Sequence, residues 1–346
     1  MTLNLSPLNS CRYGGCTLTG ALSATTHIRD SISVVHGPKG CTHHNFSLLH
    51  ATGSDNDQFL LPDLLSSALS ETDIVFGGEA SLERTIESAA KRKPDAVFVL
   101  STCIVDTIGD DVSAVCGREY GVPVIPVPTA GFLGGTFQGG LNNALCAIAC
   151  LAEPCQKNLS VNIIGEKNLE YEVEENFFEV ARLLQALGIP VNIRFLRNCD
   201  MKEVRHLGAA YLNILRDDEL LPTGEFLASR FGTPYFSSYP SGLSGTIRFL
   251  ESVGETCGVD STPAVEGEMA LQEKALADFG DLAGEKIMFE NTGATPECLD
   301  VAIEITEKLG LVIGDHGRRV PLPLSPPVGS TGIRRLLHRW RCAIHA

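Results

Sequence analysis

The sequence predicts an α/β protein of repeated doubly wound, Rossmann-like parallel-sheet domains, with the third domain truncated. Three observations predict it. Short apolar runs alternate with amphipathic helical stretches, the rhythm of strand–helix units. Loops rich in Gly, Ser or Thr closely follow two of those runs, and each carries a cysteine. Apolar residues make up 44% of the 346, ample for more than one buried core.

In a first domain, residues 1–155, strands are expected at Ser31–His36, Asp73–Phe76, Ala96–Leu100 and Pro123–Pro126. Helices are expected around Leu82–Arg92, Asp110–Tyr120 and Leu141–Leu151. The linker Leu151-Ala-Glu-Pro-Cys-Gln-Lys-Asn follows, with Pro154 ending the helix. A second domain, 156–260, opens on the strand Ser160-Val-Asn-Ile-Ile-Gly. It continues with helix Glu174–Leu187, strands Val191–Phe195 and Ala210–Leu215, helix Thr223–Phe231, and a helix at Gly245–Val253 after Pro234-Tyr-Phe. The third region, 261–346, offers strand Lys286–Glu290, helix Pro296–Leu309 and strand Leu311–Gly314. The Pro-rich run from Arg318 can be neither helix nor inner strand. A basic helix, Gly332–Trp340, closes the chain. Two strands and one helix cannot cover both faces of a sheet, so this region must lean on other domains or on a partner chain.

The formal net charge of −15 argues against nucleic acid or an anionic membrane as principal partner. Arg334, Arg335, Arg339 and Arg341 form a local basic patch that either docks on an acidic partner or is an ordinary solvated face. The N-terminal segment lacks the charged and apolar regions of a signal peptide, and no apolar stretch is long enough to span a bilayer, so a cytoplasmic location is expected.

Twelve cysteines are many for such a chain. Cys146 and Cys150, four apart on an Ala/Leu-rich helix, read as buried structural thiols, and Cys116, Cys155, Cys257, Cys298 and Cys342, in ordinary contexts, as structural. Cys199 reads as a loop thiol. Cys16, Cys41 and Cys103 differ: they stand 25 and 62 residues apart in loops containing Gly14, Gly15 and Gly20, Gly37 and Gly40, and Gly109. Such glycines allow the backbone close to a bulky inorganic group. Convergent thiolates outside an oxidising compartment point to an iron–sulfur cluster or zinc, although three unrelated buried cysteines in tight turns fit the spacing as well. No Cys-x-x-Cys is present, which disfavours a structural zinc ribbon. Cys11 offers a second thiol beside Cys16. His43 and His44 read as surface or capping residues with ligation or proton relay as the sharper option, and His36 as a bond to a neighbouring loop. The absence of a Walker loop and of Gly-x-Gly-x-x-Gly after the first strand excludes the usual ATP and dinucleotide sites. Asp110-Asp111 reads as a helix start, and Gly131–Gly140 as either a ligand- or subunit-facing loop or a connector.

Together these segments resemble the nitrogenase component 1 superfamily, which includes molybdenum–iron protein subunits, cofactor-assembly scaffolds, protochlorophyllide and chlorophyllide reductases and smaller nitrogenase-like reductases. The resemblance rests on Cys16-Thr-Leu-Thr-Gly-Ala, Val34-Val-His-Gly-Pro-Lys-Gly-Cys41, Leu69-Ser-Glu-Thr-Asp-Ile-Val-Phe-Gly-Gly-Glu79 and Ser101-Thr-Cys-Ile-Val-Asp-Thr-Ile-Gly-Asp-Asp111. Later matches are Pro234-Tyr-Phe, Gly242-Leu-Ser-Gly-Thr-Ile-Arg-Phe-Leu250 and Pro327-Val-Gly-Ser-Thr-Gly. The resemblance implies that Cys16, Cys41 and Cys103 bind an iron–sulfur cluster, 4Fe-4S or of the 8Fe-7S P-cluster type, at a subunit interface. Gly15, Gly40 and Ser101 would lie against it.

Two departures narrow the expectation. Where α-type subunits carry a cofactor-anchoring cysteine after a Leu-Asn-Leu strand, Leu212-Asn-Ile-Leu-Arg-Asp217 places arginine and aspartate. The loop Thr129-Ala-Gly131 offers no serine ligand of the kind β-type subunits use. The resemblance implies an electron-relay subunit without a serine ligand, β-like because the 25-residue spacing is nearer the β type. Its partners would be an α-like catalytic subunit and a dimeric ATP-dependent iron–sulfur reductase, with ATP bound only on that reductase. Methylthio-alkane reduction is the first expected activity. The alternatives are a homodimeric tetrapyrrole reductase resembling nickel-sirohydrochlorin cyclase, and a metallocluster assembly scaffold.

Overall fold

A computed structural model describes residues 15–55, 61–129, 131, 135–170, 172–290 and 294–346. The elements run α1 (Thr17–Thr25), β1 (Ser31–His36), α2 (Lys39–Asp55), β2 (Leu64–Ser66), α3 (Glu71–Phe76), α4 (Glu79–Ala90), β3 (Ala96–Ser101), α5 (Cys103–Ile108) and α6 (Val112–Cys116). Next come β4 (Val124–Val127), α7 (Phe137–Ala149), β5 (Asn158–Ile164), α8 (Val173–Ala186), β6 (Val191–Phe195), α9 (Met201–Arg205), β7 (Ala210–Leu215), α10 (Leu221–Phe231) and β8 (Tyr235–Phe236). The last are α11 (Gly242–Cys257), α12 (Thr262–Ala277), β9 (Lys286–Glu290), α13 (Pro296–Leu309), β10 (Val312–Ile313), β11 (Arg318–Pro321) and α14 (Gly329–His345). They form two compact units: the described part of Cys11–Val173 with Val191–Ser237, and Glu174–Pro190 with Ser238–Ala346.

The first unit holds two parallel sheets of the same topology, β2-β1-β3-β4 and β6-β5-β7-β8. That repetition is the doubly wound arrangement the sequence predicts. Every residue of β1 and β3 is buried, as expected of strands covered on both faces. Leu82, Ile86 and Ala89 of α4 pack with Val97, Val99 and Val115 on one side. Leu22 of α1, with Ala144, Leu145 and Ile148 of α7, joins Phe98 and Leu100 on the other, in a core that extends to Phe195 and Leu215 of the second sheet. α1 and α7 cross backbone to backbone: a methyl on Gly20 would overlap the Phe137 carbonyl, and one on Gly140 the Thr17 carbonyl.

Two expectations need correction here. Asp73–Phe76 is not a strand but the end of α3. Ser70 and Asp73 form a capping box, with Ser70 N–H donating to Asp73 Oδ2 at 2.8 Å, which commits this backbone to a helix. The strand beside β1 is Leu64–Ser66, with Ser33 opposite Leu64. The helix expected at Asp110–Tyr120 is only the short α6, Val112–Cys116, and a further short helix, α5, precedes it and ends at Gly109, which adopts φ 78°.

In the second unit the parallel sheet β10-β9-β11 repeats the first three positions of the other two sheets, with no fourth strand among the described residues. The Pro-rich run supplies β11 at its edge, where Pro321 removes no inner ladder bond. Leu243 of α11, Val301, Ala302 and Ile305 of α13, and Ile333, Leu337 and Trp340 of α14 cover this sheet. The indole N–H of Trp340 donates to Pro321 O at 2.9 Å. The basic helix is thus an amphipathic core element. Arg334 pairs with Asp278 at 2.7 Å and Arg341 with Asp281. Arg182 of α8 bridges two buried carboxylates, Glu179 at 2.8 Å and Glu268 at 2.6 Å. Among the described residues no helix is long and apolar enough to cross a membrane.

Candidate functional site

Cys16 is the N-cap of α1, with extended backbone and an exposed thiol 3.6 Å from Thr19 Oγ1. Cys41 lies in the first turn of α2, just after β1, and Cys103 opens α5, just after β3; both are half-buried and free. β1 and β3 are neighbours with His36 opposite Ser101, so the second and third loops leave the sheet side by side. Thr102 N–H donates to His36 O at 3.0 Å and ties them together.

Gly131, after β4, closes the arrangement. A Cβ there would stand 3.2 Å from Cys103 Sγ and 3.4 Å from the Oγ1 of Thr17, the residue after Cys16. The Cys41 thiol is pushed up first by burial and then by the thiolates of Cys16 and Cys103, which marks all three as electrical neighbours. Among the described residues no three His, Cys, Asp or Glu side chains are gathered closely enough for a single metal ion. One thiolate from each of three loops instead suits a polynuclear group, whose separate irons each take one. A further feature fits such a group. The hydroxyls of Thr17, Thr42 and Thr102, each adjacent in sequence to one of the three cysteines, are buried with no hydrogen-bond partner among the described residues.

The other expected contacts lie close by. Gly15 is needed because a Cβ would strike the Thr19 side chain within 2.5–2.7 Å, and Gly40 faces open space. Ser101 is buried and donates to Asp106 Oδ1 at 3.3 Å, organising the start of α5. His43 and His44 are exposed on α2. Cys199 and Cys116 are buried thiols pushed up to about 12 by burial, as inert structural residues should be. Cys11 lies outside the described residues, as does 132–134 of the Gly131–Gly140 loop; Phe137–Gly140 begins α7.

Beneath the thiol loops sits a clamp. His36 is fully buried, its Nε2 3.0 Å from Asp110 Oδ2 and its Nδ1 2.8 Å from Ser67 Oγ. Gly37 N–H donates to Ser67 Oγ at 2.9 Å, which leaves the Ser67 hydroxyl to donate to Nδ1 and puts the imidazole proton on Nε2, facing Asp110. Asp110 also accepts from Gly78 N–H at 3.0 Å, and Glu79 accepts from Asp111 N–H at 3.1 Å. The His-Gly-Pro-Lys-Gly-Cys, Phe-Gly-Gly-Glu and Thr-Ile-Gly-Asp-Asp segments therefore meet at one carboxylate. Of the two aspartates only Asp111 caps a helix, by accepting from Ala114 N–H at 2.8 Å. Asp110 serves the clamp instead.

The strand ends of the second sheet hold charge instead of thiol. Arg216, buried, ends β7's run, and Asp217 pairs with Lys167 at 3.0 Å. Burial pushes the Glu166 carboxyl up, against the opposing pull of Arg194 at 3.2 Å, Arg197 and Arg216. Lys167, Glu166, Glu170 and Asp217 line a cavity of about 130 Å³. This lining does not fit a metallocluster anchored by a thiolate at that strand end.

Fold and thiol loops together define an α/β protein that presents three converging cysteines at the carboxyl ends of a parallel sheet. The family described as nitrogenase component 1 type oxidoreductase matches residues 16–289, and the chain belongs to it. It is 31% identical to the nitrogenase iron–molybdenum cofactor biosynthesis protein NifE of Nostoc sp. (strain PCC 7120) over 77% of the chain and 56% of that protein. It is 30% identical to NifE of Rippkaea orientalis over 81% of the chain and 62% of that protein. A nitrogenase molybdenum–iron protein alpha chain from Methanothermobacter thermautotrophicus is 29% identical over 71% and 56%. The chain thus spans a little over half the length of these relatives. Its fold matches a solved structure titled "Nitrogenase Cp1 at pH 5" with TM-score 0.66 at 22% identity, over 86% of this chain and 63% of that one.

Proposed function

We propose that this chain is a cluster-holding, electron-relay subunit of a nitrogenase-like, ATP-dependent two-component reductase. Cys16, Cys41 and Cys103 bind an iron–sulfur cluster on a face that a second subunit completes. The observation that supports this most is the convergence of three free thiols from separate loops, backed by Gly131 and by three buried hydroxyls without partners. When bound, the cluster supplies one-electron chemistry. The chain orients the thiolates through α1, α2 and α5 and fixes their loops through the His36–Asp110 clamp. Val75 and Phe76, 72% and 84% exposed on α3, offer an apolar docking surface for the electron donor.

A second reading, an assembly scaffold on which a metallocluster is matured, is favoured by the NifE relatives. These relatives and the alpha chain leave the cysteine spacing as the sole support for a β-like assignment. Against a scaffold that grips its cargo in the second-sheet cleft stands the ion network there, Lys167–Asp217 and Arg194–Glu166, in place of a thiol.

Anaerobic purification with iron and sulfide analysis tests both readings. A retained cluster that an ATP-driven reductase reduces, in company with a second chain, supports the relay. A labile cluster that passes to an acceptor protein supports the scaffold. Cys41→Ala should abolish iron binding in either case, and unchanged iron content would sink the ligand assignment.

A further inference from the structure

We propose that the hydroxyls of Thr17, Thr42 and Thr102 donate hydrogen bonds to the sulfur atoms of the cluster and raise its reduction potential. The inference rests on the ligand set proposed above. A buried hydroxyl without a partner is costly, and each one in a native fold calls for an explanation. Elsewhere the chain satisfies its threonines locally: Thr26, Thr107 and Thr246 donate to the carbonyls of Leu22, Cys103 and Gly242, four residues back. Thr17 is the first residue of α1, where no helical carbonyl lies behind it, and Thr102 is the N-cap of α5 yet makes no capping bond. Thr42 lies in the first turn of α2 with the same unmet hydroxyl.

Each of the three hydroxyls neighbours one of the proposed ligand cysteines in sequence, and for one of them the geometry gives the position relative to a thiol. Thr17 is the most sharply placed, since its Oγ1 and Cys103 Sγ lie 3.4 and 3.2 Å from the same point above Gly131. Thiolate and sulfide sulfur accept hydrogen bonds from hydroxyls. Such bonds favour the more negatively charged, reduced state, so they move the potential upward.

Valine keeps the shape of threonine and removes the donor. In the anaerobically loaded protein, Thr17→Val, Thr42→Val and Thr102→Val should each shift the cluster's midpoint to more negative potential in a spectroscopic redox titration. Iron content should stay unchanged, and Thr→Ser should restore the midpoint. In the cluster-free protein the same valines should leave the melting temperature unchanged or raise it, because the hydroxyl they remove has no protein partner. Midpoints unmoved at full iron content would overturn the proposal, as would a lower melting temperature of the cluster-free variants, which would reveal a protein partner. Wild-type protein that takes up no iron would instead overturn the ligand assignment itself.

Discussion

At the residue scale, His36 and Asp110 are the pair on which the thiol loops depend. Burial lowers the pKa of His36 below 6.5, and the hydrogen bond and charge of Asp110 offset this only in part. The folded chain therefore takes up the His36 proton at lower pH than the unfolded chain does. Stability from this group is fully present above pH 6.5 and is lost as pH falls towards the depressed folded value. In the cluster-free protein, melting temperature should decline on acidification below pH 6.5 more steeply for wild type than for His36→Asn. The difference should approach about 1.4 kcal/mol per pH unit at most, the linkage of one proton. Parallel curves for the two proteins would show that His36 is not buried in its neutral form. Asp110→Asn tests the other half of the clamp. Its carboxylate accepts from His36 and from Gly78 N–H, so the amide should cost roughly 1–3 kcal/mol by denaturant unfolding.

At the scale of elements, the first of the proposed ligands, Cys16, hangs on a helix crossing that admits no side chain. Because α1 begins directly after Cys16, and Gly20 and Gly140 let its backbone touch that of α7, any Cβ there must push the helices apart. Gly20→Ala and Gly140→Ala should each lower unfolding free energy by about 1–3 kcal/mol, the usual cost of overpacking, and lower iron loading with it. Their double variant should cost less than the sum, since both relieve the same crossing. These elements were legible to different degrees. β3 carries the uninterrupted apolar run Ala96–Leu100, and β1 sets Ile32, Val34 and Val35 among small serines, so both strands are legible in the sequence. The sequence predicts a strand within α3 because Ile74, Val75 and Phe76 are strand formers, while the Ser70–Asp73 capping box that overrides them is a single local signal. α12 went unread for another reason: its buried face is Ala264, Glu268, Gln272 and Ala275. Glu268 is buried against Arg182, and Gln272 donates to Leu243 O at 3.1 Å, so a polar face is satisfied by partners remote in sequence and shows no apolar period. The three cysteines were legible from their loops. The clamp and the unmet hydroxyls were not, because they depend on which loops the sheet order brings together.

At the scale of the whole molecule, the proposed relay turns on how the thiol end of the first sheet meets other proteins. A chain of net charge −15 repels acidic partners at long range, so close association is better carried by an apolar contact than by its charges. α3 supplies one. Phe76 is 84% exposed, an unusual position for a large aromatic residue with no other solvent-facing use. α3 packs against α5, whose first residue is Cys103, and Gly78 just beyond it is held by the same carboxylate that holds His36. A donor seated on Phe76 would therefore stand next to the cluster loops and on the element the clamp braces. Phe76→Ala should leave iron content, melting temperature and reduction of the cluster by dithionite unchanged. ATP-driven reduction by the proposed iron–sulfur reductase should fall roughly tenfold or more, the loss expected on truncating an aromatic anchor. The fall should appear in the concentration of reductase needed for half-maximal rate, and it should change little with added salt because the lost contact is apolar. A variant reduced as fast as wild type at every reductase concentration would move the docking surface away from α3, while leaving the assignment of the three cysteines where it stands.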